Sequence, residues 1–510
     1  MLKKIVYTIF TILIFPNFIF AQTVAKIAPK REFRGVWVAT VANIDWPSKP
    51  GLSADQQKQE LIGLMEQHKR NGMNAILLQV RPAADAFYAK SREPWSQWLM
   101  GRQGVAPANG YDPLEFAIKE AHSRGMELHA WFNPYRATMS ANTFVSEDHM
   151  TRKRPELFFT YAGKKQFDPG IPEVREYIVQ VILDVVKGYN IDGVHFDDYF
   201  YPYPVAGQQI NDGATFQKYP NGISNIKDWR RNNVDLLIKQ LDDSIHHYKK
   251  YVKFGISPFG IWKNDRDDPD GSATSGLSNY HELYADSRKW IQEGWVDYIN
   301  PQVYFSFTRK AAPFGTLVDW WSKHTYGRHL YIGQAAYLVN QKMEAAWRFP
   351  EQIPDQVRYI RANNRVQGSV YFSSKSFSTI ARGAADSLRN DLYRYPALPP
   401  QMPWLDDIDP NPPQELSAQA VETGIQLKWA APLKASDGET ASGYVIYRFA
   451  EGEDMDVLHP KNIIRISFED YTFFMDTNIE KGKRYNYLVS ALDRLKNESE
   501  ASGPVGVQAQ

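Results

Sequence analysis

The chain has 510 residues and no cysteine, and its 59 Lys and Arg nearly balance its 58 Asp and Glu, for a formal net charge of +1. This charge argues against nucleic acid as the main partner, because phosphate binding needs a basic stripe. The lack of cysteine excludes disulfides, thiolate catalysis and a lipid-modified cysteine. The length predicts a barrel of roughly 250 or more residues plus a smaller module.

The first residues predict a secretory signal peptide, residues 1–21. Two lysines precede an apolar run from Ile5 to Phe20, and the small residue Ala21 marks the predicted cleavage site. A membrane anchor is the alternative, but the run is short for the about 20 residues that a span needs. We therefore expect an exported protein, periplasmic or secreted, that is not a lipoprotein and keeps no stable membrane span after cleavage.

Eight strand-like segments follow, and each is succeeded by a helix-like segment. Their continuous apolar character is typical of strands that are covered on both faces. Alternation of strand and helix eight times predicts an α/β fold, a (β/α)8 TIM barrel, over residues 31–394. An open doubly wound sheet is the alternative, but no Gly-rich phosphate turn supports it. The predicted strands are Phe33–Val41, Asn74–Arg81, Glu127–Asn133, Gly193–Tyr199, Lys253–Gly260, Tyr298–Ser306, Leu330–Tyr337 and Gly368–Ser374.

The connections that leave the predicted strands are long, whereas those that lead from a helix to the next strand are short. Long ordered loops at one face of a domain are usually functional. In a barrel that face is the carboxyl end of the strands, where we expect the active site. The long connections are Pro82–Tyr111, Pro134–Ile171, Phe200–Ile223 and Ile261–Ser278.

The remaining chain predicts a linker and a second domain. Residues 395–414 contain seven prolines, which predicts a stiff, extended linker. Residues 415–510 show short alternating strands, of which Gly424–Trp429 and Gly443–Arg448 look like a pair. Tyr485 is a candidate tyrosine corner, so the module resembles a fibronectin type III sandwich. We expect it to be non-catalytic and to space or dock the enzyme on the envelope.

The fourth predicted strand ends in two adjacent carboxylates, Asp197 and Asp198, within a cluster of aromatic rings. Side chains alternate along a strand, so His195, Asp197 and Tyr199 share one side. Such a polar trio is costly to bury unless it is paired or belongs to a site. Two carboxylates this close do not both ionise easily, so one of them should have a raised pKa and be able to donate a proton. A structural alternative is that one acid caps the loop or pairs with an Arg.

Other polar and aromatic residues near the strand ends are candidates for substrate binding. Arg81 offers a bidentate contact to a carboxylate, with a salt bridge at the barrel rim as the alternative. A site made of His195, Asp197 and His129 would suit a metal ion and a deacetylase, but we predict neither a metal nor a cofactor. The predicted substrate-binding residues are Arg81, Asp85, Trp131, Asn133, His195, Tyr199, Trp262, Gln302 and Tyr304.

Six motifs carry a resemblance to the glycosyl-hydrolase-like 10 family of exported bacterial barrels. They are RGVWVATV (34–41), QVRPAADAFY (79–88), WFNPYR (131–136), DGVHFDDYFYP (192–202), GISPFGIW (255–262) and NPQVY (300–304). The match covers about Phe33 to Tyr395. The resemblance implies a TIM barrel that acts on glycans, and for some relatives the substrate is peptidoglycan strands stripped of their peptides.

The resemblance also implies that Asp197 and Asp198 are the catalytic pair or contain its key member. It leaves the second catalytic group open between a loop acid, such as Asp45, Asp85 or Glu93, and the acetamido group of the substrate. We predict an exported glycoside hydrolase for an N-acetylated cell-wall or envelope glycan, with Asp197 as acid or nucleophile and Asp198 as its electrostatic partner. The alternatives are a non-catalytic glycan-binding barrel and a metal-dependent polysaccharide deacetylase.

Overall fold

The first domain is a closed barrel of eight parallel strands in a computed structural model of the protein, which describes residues 28–342 and 344–510. The predicted signal peptide, residues 1–21, lies outside the described residues. Each strand pairs with its two neighbours in chain order, and the last strand pairs with the first. The strands are β1 Phe33–Val38, β2 Ala75–Arg81, β3 Glu127–Phe132, β4 Gly193–Phe196, β5 Lys253–Ile256, β6 Tyr298–Ile299, β7 His329–Gln334 and β8 Gly368–Tyr371.

A helix follows each strand, so the predicted (β/α)8 architecture is confirmed. The helices are α1 Ala54–Arg70, α2 Pro113–Ser123, α3 Pro172–Gly188, α4 Ile226–Tyr248, α5 Ser287–Gln292, α6 Phe314–Ser322, α7 Gln352–Arg361 and α8 Arg382–Ser387. The connections contain a hairpin, Phe158–Tyr161 with Lys164–Phe167, and shorter helical segments at Val41–Asn43, Gln97–Met100, Ala108–Gly110, Met150–Lys153, Pro155–Leu157, Gly213–Lys218, Asn279–Glu282, Ala336–Leu338, Ala345–Arg348, Ser374–Ser378 and Leu388–Leu392.

Most of the strands end earlier than their apolar patterns predict. The sixth is the clearest case: it was predicted to reach Ser306 but ends at Ile299, and Pro301, which follows shortly after, has no N–H to donate to a strand ladder. The fourth strand ends at Phe196, so Asp197 and Asp198 lie in the loop just beyond it. The polar groups therefore stand at the mouth of the barrel and not inside the ladder.

The barrel interior is packed with large side chains. Phe33 stacks on Tyr331 with ring centroids 4.1 Å apart, and Tyr298 packs beside them. Two strand glycines make this possible, because a Cβ at Gly193 would overlap the His129 ring and a Cβ at Gly255 would overlap the Tyr298 ring. The lumen is a core and not a channel, which restricts substrate to the carboxyl end of the strands.

The second domain consists of two antiparallel sheets that pack face to face. The strands are β9 Gln414–Val421, β10 Gly424–Ala430, β11 Gly443–Ala450, β12 Ile463–Ser467, β13 Phe473–Asp476, β14 Arg484–Leu492 and β15 Val505–Gln508, with a short helical turn at Pro460–Asn462. The three-stranded sheet has the order β9-β10-β13 and the four-stranded sheet the order β12-β11-β14-β15, as expected for a fibronectin type III-like sandwich.

Two details of the sandwich test the sequence predictions. The predicted pairing of Gly424–Trp429 with Gly443–Arg448 is wrong, because β10 and β11 belong to opposite sheets. Their apolar faces meet across the core instead, where the Trp429 and Tyr444 rings are 5.1 Å apart. Tyr485 does form a tyrosine corner, since its hydroxyl accepts a hydrogen bond of 3.0 Å from the backbone N–H of Glu480.

The Pro-rich segment does not hold the two domains apart. Met402 and Leu405 of this segment, and Leu495 from the β14–β15 loop, are buried in one cluster with the lumen residues Phe33 and Tyr331. These side chains close the amino end of the barrel, opposite the carboxyl ends of the strands. The sandwich is thus part of the barrel floor. None of the helices in the described residues has the length and apolar character that a membrane crossing requires.

Candidate active site

A cavity of about 220 Å³ opens at the carboxyl ends of the barrel strands. A groove of about 780 Å³ between barrel and sandwich is larger, but the smaller cavity contains the two adjacent carboxyl groups. It is lined by Trp37, Ala39, Val41, Ile44, Gln79, Trp131, Arg136, Asp197, Asp198, Tyr199, Ser257, Gln302, Tyr304, Tyr337 and Phe372. The lining combines aromatic walls with a small number of polar groups, which is typical of a small-molecule site.

Asp197 is surrounded by hydrogen-bond donors. Its Oδ2 accepts from Trp131 Nε1 at 3.1 Å and from the Asn133 amide, and its Oδ1 accepts from the Tyr199 backbone N–H at 3.2 Å. Burial raises the pKa of Asp197, whereas the Arg136 charge and these donors oppose that rise. All of these contacts favour the ionised carboxylate.

Asp198 has fewer contacts that favour its charged form. The Tyr203 hydroxyl donates to its Oδ2, and Gln302, whose Nε2 also donates to Ser257 O at 3.0 Å, bonds to it as well. Burial first, and then the neighbouring charge of Asp197, raise the pKa of Asp198 to about 7. Of the two carboxyl groups, Asp198 is therefore the one that keeps a proton near neutral pH.

Hydrogen bonds between the side-chain amides of Gln79 and Asn133 fix the orientation of Asn133 toward Asp197. Gln79 accepts hydrogen bonds from the backbone N–H groups of Thr40 and Val41, at 3.0 and 2.9 Å, and donates to Asn133 Oδ1 at 2.6 Å. The Asn133 oxygen is thereby occupied, and its NH2 group must point at Asp197. We predicted that Asn133 contacts the sugar, but the structure places it fully buried behind Asp197, where it positions the carboxylate.

The structure brings six of the predicted site residues together at the cavity. They are Trp131, Asp197, Asp198, Tyr199, Gln302 and Tyr304. Tyr199 is 42% exposed and stands at the entrance, where the Arg136 guanidinium lies 5.0 Å from its ring. Tyr304 and Tyr337 form a second aromatic wall with their ring centroids 5.9 Å apart. These groups remain our candidates for contact with a substrate.

Arg81 lies outside the cavity. Its guanidinium makes two hydrogen bonds to the Glu93 carboxylate, at 2.6 and 2.7 Å, and one to Asn133 O at 2.6 Å. With these donors used and the side chain buried, Arg81 braces the loops at the rim. Glu93, one of the candidate loop acids, is the ion-pair partner of Arg81, so the guanidinium balances its charge.

Two further candidates, Trp262 and Asp85, also lie outside the cavity. Trp262 is buried: its Nε1 donates to Asp286 at 2.9 Å and its ring stacks on Trp320. Its position past the strand end suggested a sugar platform, but the Trp320 ring of α6 and the Tyr280 ring of the segment Asn279–Glu282 pack against it. Asp85 accepts from the Ala83 backbone at 3.1 Å within its own turn, and burial raises its pKa to about 7.

His195 lies below the cavity floor. Its Nε2 accepts from Trp37 Nε1 at 3.1 Å, and its Nδ1 is 3.0 Å from the Tyr298 hydroxyl, which also contacts His129. Burial holds the pKa of His195 well below its usual range. Both histidines are thus bound into the lumen core, and within the described residues they do not form a metal-ligating group with Asp197.

Asp45, the remaining candidate loop acid, accepts hydrogen bonds with both of its carboxylate oxygens. Its Oδ1 accepts from the Ser373 hydroxyl and the Lys375 N–H, both at 2.7 Å, and its Oδ2 accepts from Ala39 N at 2.8 Å. It ties β1 to the loop after β8. Within the described residues, Asp197 and Asp198 are the carboxylates that line the cavity.

Several cavity residues were missed by sequence reasoning or left unassigned. Gln79 was recognisable as a polar residue within the apolar segment of β2, and Arg136 as the end of the WFNPYR motif. Ile44, Tyr337 and Phe372 carry no such signal, because they come from loops whose positions depend on the closed barrel.

The buried Arg81–Glu93 pair leads to a stability prediction. Arg81→Met should lower the free energy of unfolding by about 3–5 kcal/mol, because it leaves Glu93 buried without its cation. The double variant Arg81→Met/Glu93→Met should recover most of this loss. Urea unfolding measures both values. A stable single variant with a raised KM would instead return Arg81 to the substrate site.

The family model of glycosyl hydrolase-like 10 matches residues 32–349. The chain belongs to this family. It is 47% identical over 508 residues to "Glycosyl hydrolase YngK" of Bacillus subtilis (strain 168), with 98% of each chain covered. It is 38% identical over 367 residues to "Glycosyl hydrolase DigH" of Escherichia coli (strain K12), which covers 67% of this chain and 83% of the relative. The resemblance that the six motifs predicted is thereby confirmed.

Among solved structures, the glycoside hydrolase domain of PgaB (BpsB) from Bordetella bronchiseptica is similar with a TM-score of 0.46 and 12% sequence identity. That similarity covers 72% of this chain and 99% of the other.

Proposed function

We propose that the protein is a glycoside hydrolase that cleaves O-glycosyl bonds in an N-acetylated cell-wall or envelope glycan, with peptidoglycan-type strands as the favoured substrate. The observation that carries the proposal is the pair Asp197 and Asp198 at the mouth of the barrel. One carboxyl group is surrounded by donors that favour its anion, and the other has a pKa of about 7. Acid and anion held side by side are the groups that glycosidic cleavage requires.

The contacts favour Asp198 as the general acid and Asp197 as the stabilising anion, which reverses the roles that we assigned from the sequence. Asp198 would protonate the leaving glycosidic oxygen as the C1–O bond breaks. Because Asp45, Asp85 and Glu93 are engaged elsewhere, the substrate's acetamido oxygen is the proposed nucleophile at C1.

The proposed reaction has two balanced steps. Attack of the acetamido oxygen forms a cyclic oxazolinium ion, and its N–H donates to the Asp197 carboxylate, which offsets the positive charge. Water then adds to C1 and returns a proton to Asp198, which reopens the ring to the N-acetyl sugar. Two inversions at C1 predict retention of configuration. A cavity of about 220 Å³ suits a single sugar with its acetamido group, so the rest of the strand would lie across the exposed rim.

The experiment that tests the function uses peptide-free glycan strands, before and after chemical removal of their N-acetyl groups. Both new reducing ends and free acetate are measured. We expect reducing ends from the N-acetylated strands, none from the de-N-acetylated strands, and no acetate. Release of acetate without chain cleavage would favour the deacetylase alternative, and saturable binding without any product would favour the glycan-binding alternative.

A pH profile tests the assignment of the acid. Since Asp198 must be protonated to act, kcat/KM should fall as the pH rises through about 7. At lower pH the rate should fall again where Asp197 takes up a proton, which gives a bell-shaped profile. Its two apparent pKa values belong to the coupled pair and not to either residue alone. A rate that rises from pH 6 to pH 8 would contradict this assignment.

We also propose that the reaction takes place outside the cytoplasm, in the periplasm or the medium. The support is the sequence of residues 1–21, with its basic start, apolar middle and small residue at the predicted cleavage site.

A further inference from the structure

A second concave space, a groove of about 690 Å³, opens at the same face of the barrel as the cavity. Its lining residues come from the β3–α3, β4–α4 and β5–α5 connections and from the first turns of α4. In a parallel barrel all of these elements lie at the carboxyl ends of the strands. We call this space the outer groove.

An ion pair and hydrogen bonds hold the walls of the outer groove. Arg230 pairs with the fully buried Asp212 at 2.6 Å, and its Nη1 donates to the Tyr284 hydroxyl at 2.8 Å. The Tyr161 hydroxyl accepts from the backbone N–H of Val205 at 2.7 Å. These contacts join all three connections to one another or to α4. The groove is therefore formed before a ligand arrives, which lowers the ordering cost of binding.

Tyr203 stands between the outer groove and the cavity. Its hydroxyl donates to Asp198, which lines the cavity, whereas its chain neighbours Pro202 and Pro204 line the groove. The two spaces are thus adjacent along the mouth of the barrel, and a long ligand in the cavity reaches the groove by passing over this side chain.

The aromatic rings at this boundary are only partly used in the core. Phe200 and Tyr201 are buried, but Tyr199 is 42% exposed, and its ring packs against Tyr203 with the centroids 5.6 Å apart. A Tyr side chain combines an apolar ring face with a polar hydroxyl. This pair therefore suits contact with a ligand that is itself partly apolar and partly polar, such as a sugar.

The polar lining of the outer groove has engaged acids and spare donors. One carboxylate lies in the ion pair described above, and the Glu282 carboxylate accepts from the Ser278 N–H and hydroxyl at 2.7 and 2.9 Å. The side chains of Gln208, Gln209 and Lys227 are exposed and, within residues 28–342 and 344–510, make no hydrogen bond or ion pair. The groove thus offers amide and ammonium donors to the hydroxyl, carbonyl and carboxylate oxygens of a ligand.

We propose that the outer groove binds the part of an N-acetylated glycan strand that extends beyond the sugar in the cavity. This inference rests on the proposed function, and it assigns a path to the strand across the barrel face. The volumes, about 690 Å³ against about 220 Å³ for a cavity that suits one sugar, give room for about three further sugars. The protein should therefore bind long fragments more tightly than short ones.

Calorimetric binding of peptide-free glycan fragments to the Asp198→Asn variant, in which cleavage is suppressed, tests the proposal. A fragment of six sugars should bind roughly tenfold or more tighter than a fragment of two. Adding Gly213→Trp should remove most of this gain and leave the affinity for two sugars unchanged. Gly213 lines the groove, and a Cβ there would meet no atom within 4 Å, so the indole has open space to fill.

The control for this block is Gly503→Trp, at an exposed position of the sandwich where a Cβ also meets no atom within 4 Å. It should bind both fragments like its parent variant. Thermal unfolding of both Trp variants checks that each keeps the Tm of that parent.

Milder variants test the donors separately. Gln208→Ala and Lys227→Met should each weaken binding of the six-sugar fragment by about 2–10-fold, the loss of one hydrogen bond. Gln217→Ala and Lys218→Met are the matched controls, because both residues are exposed in the same β4–α4 connection but do not line the groove. Neither control should change the affinity.

Equal affinity for the two fragments, or unchanged binding of six sugars by Gly213→Trp, would overturn the outer groove. Cleavage of peptide-free strands by the wild type would then still support the proposed hydrolase. Length-dependent binding that Gly213→Trp abolishes, without any cleavage by the wild type, would support the groove and refute the hydrolase. Failure of both fragments to bind would overturn the groove as well.

Discussion

Asp198→Asn should lower kcat/KM for peptide-free glycan strands by about 10²–10⁴-fold, the usual contribution of a general acid. The substitution keeps the shape of the side chain and its contact with Tyr203 but removes the proton that the leaving oxygen needs. Asp197→Asn should cost about 10²–10³-fold, because an amide cannot offset the charge that develops on the acetamido group. The rate of formation of new reducing ends measures both effects.

The chain offers a matched control for these variants. Asp85 is also a buried aspartate whose pKa burial raises to about 7, but it lies outside the cavity. Asp85→Asn should therefore keep the wild-type rate in the folded protein. An aryl glycoside, whose leaving group needs little protonation, should restore most of the rate to Asp198→Asn and little to Asp197→Asn. Equal rates for the Asp198→Asn variant and the wild type would remove Asp198 from the chemistry.

Leu495→Ala should destabilise the protein by about 2–4 kcal/mol, although it lies in a loop of the sandwich. Leu495 is 2% exposed and belongs to the apolar cluster that also contains Phe33 and Tyr331, so its truncation leaves a void in that cluster. Urea unfolding, followed by the fluorescence of the barrel tryptophans, gives the free energy of unfolding.

Leu458→Ala is the control for this effect, since Leu458 is on the same domain and 74% exposed. It should change the free energy of unfolding by no more than about 0.5 kcal/mol. If Leu495→Ala were equally mild, the sandwich would be a passive attachment and the barrel would close its own floor.

The alternation of eight apolar strands with helices was sufficient to predict the barrel, because strands that are buried on both faces need helices on the outside and a packed lumen within. The same reasoning did not foresee the role of residues 395–414. Proline content predicts a stiff chain, but the burial of Met402 and Leu405 depends on an open apolar end of the barrel that exists only after closure.

The part of the site that directly follows β4 in the chain could be predicted from the sequence. Strand alternation predicted that Asp197 shares one side with His195 and Tyr199, which leaves Asp198 on the opposite side. Because the strand ends at Phe196, alternation no longer applies, and both carboxylates reach the cavity. Arg81 and Trp262 have residue types that suit a sugar, but their partners Glu93 and Asp286 come from other parts of the loops, and no local pattern reveals those contacts.

The most direct test of the account is a crystal structure of the Asp198→Asn variant with an N-acetylated glycan oligosaccharide. We expect one sugar in the barrel-mouth cavity, its acetamido nitrogen about 3 Å from the Asp197 carboxylate, and its glycosidic oxygen about 3 Å from the side chain at position 198. An oligosaccharide bound elsewhere, with the Asp197 carboxylate out of reach of every sugar atom, would contradict the proposed chemistry.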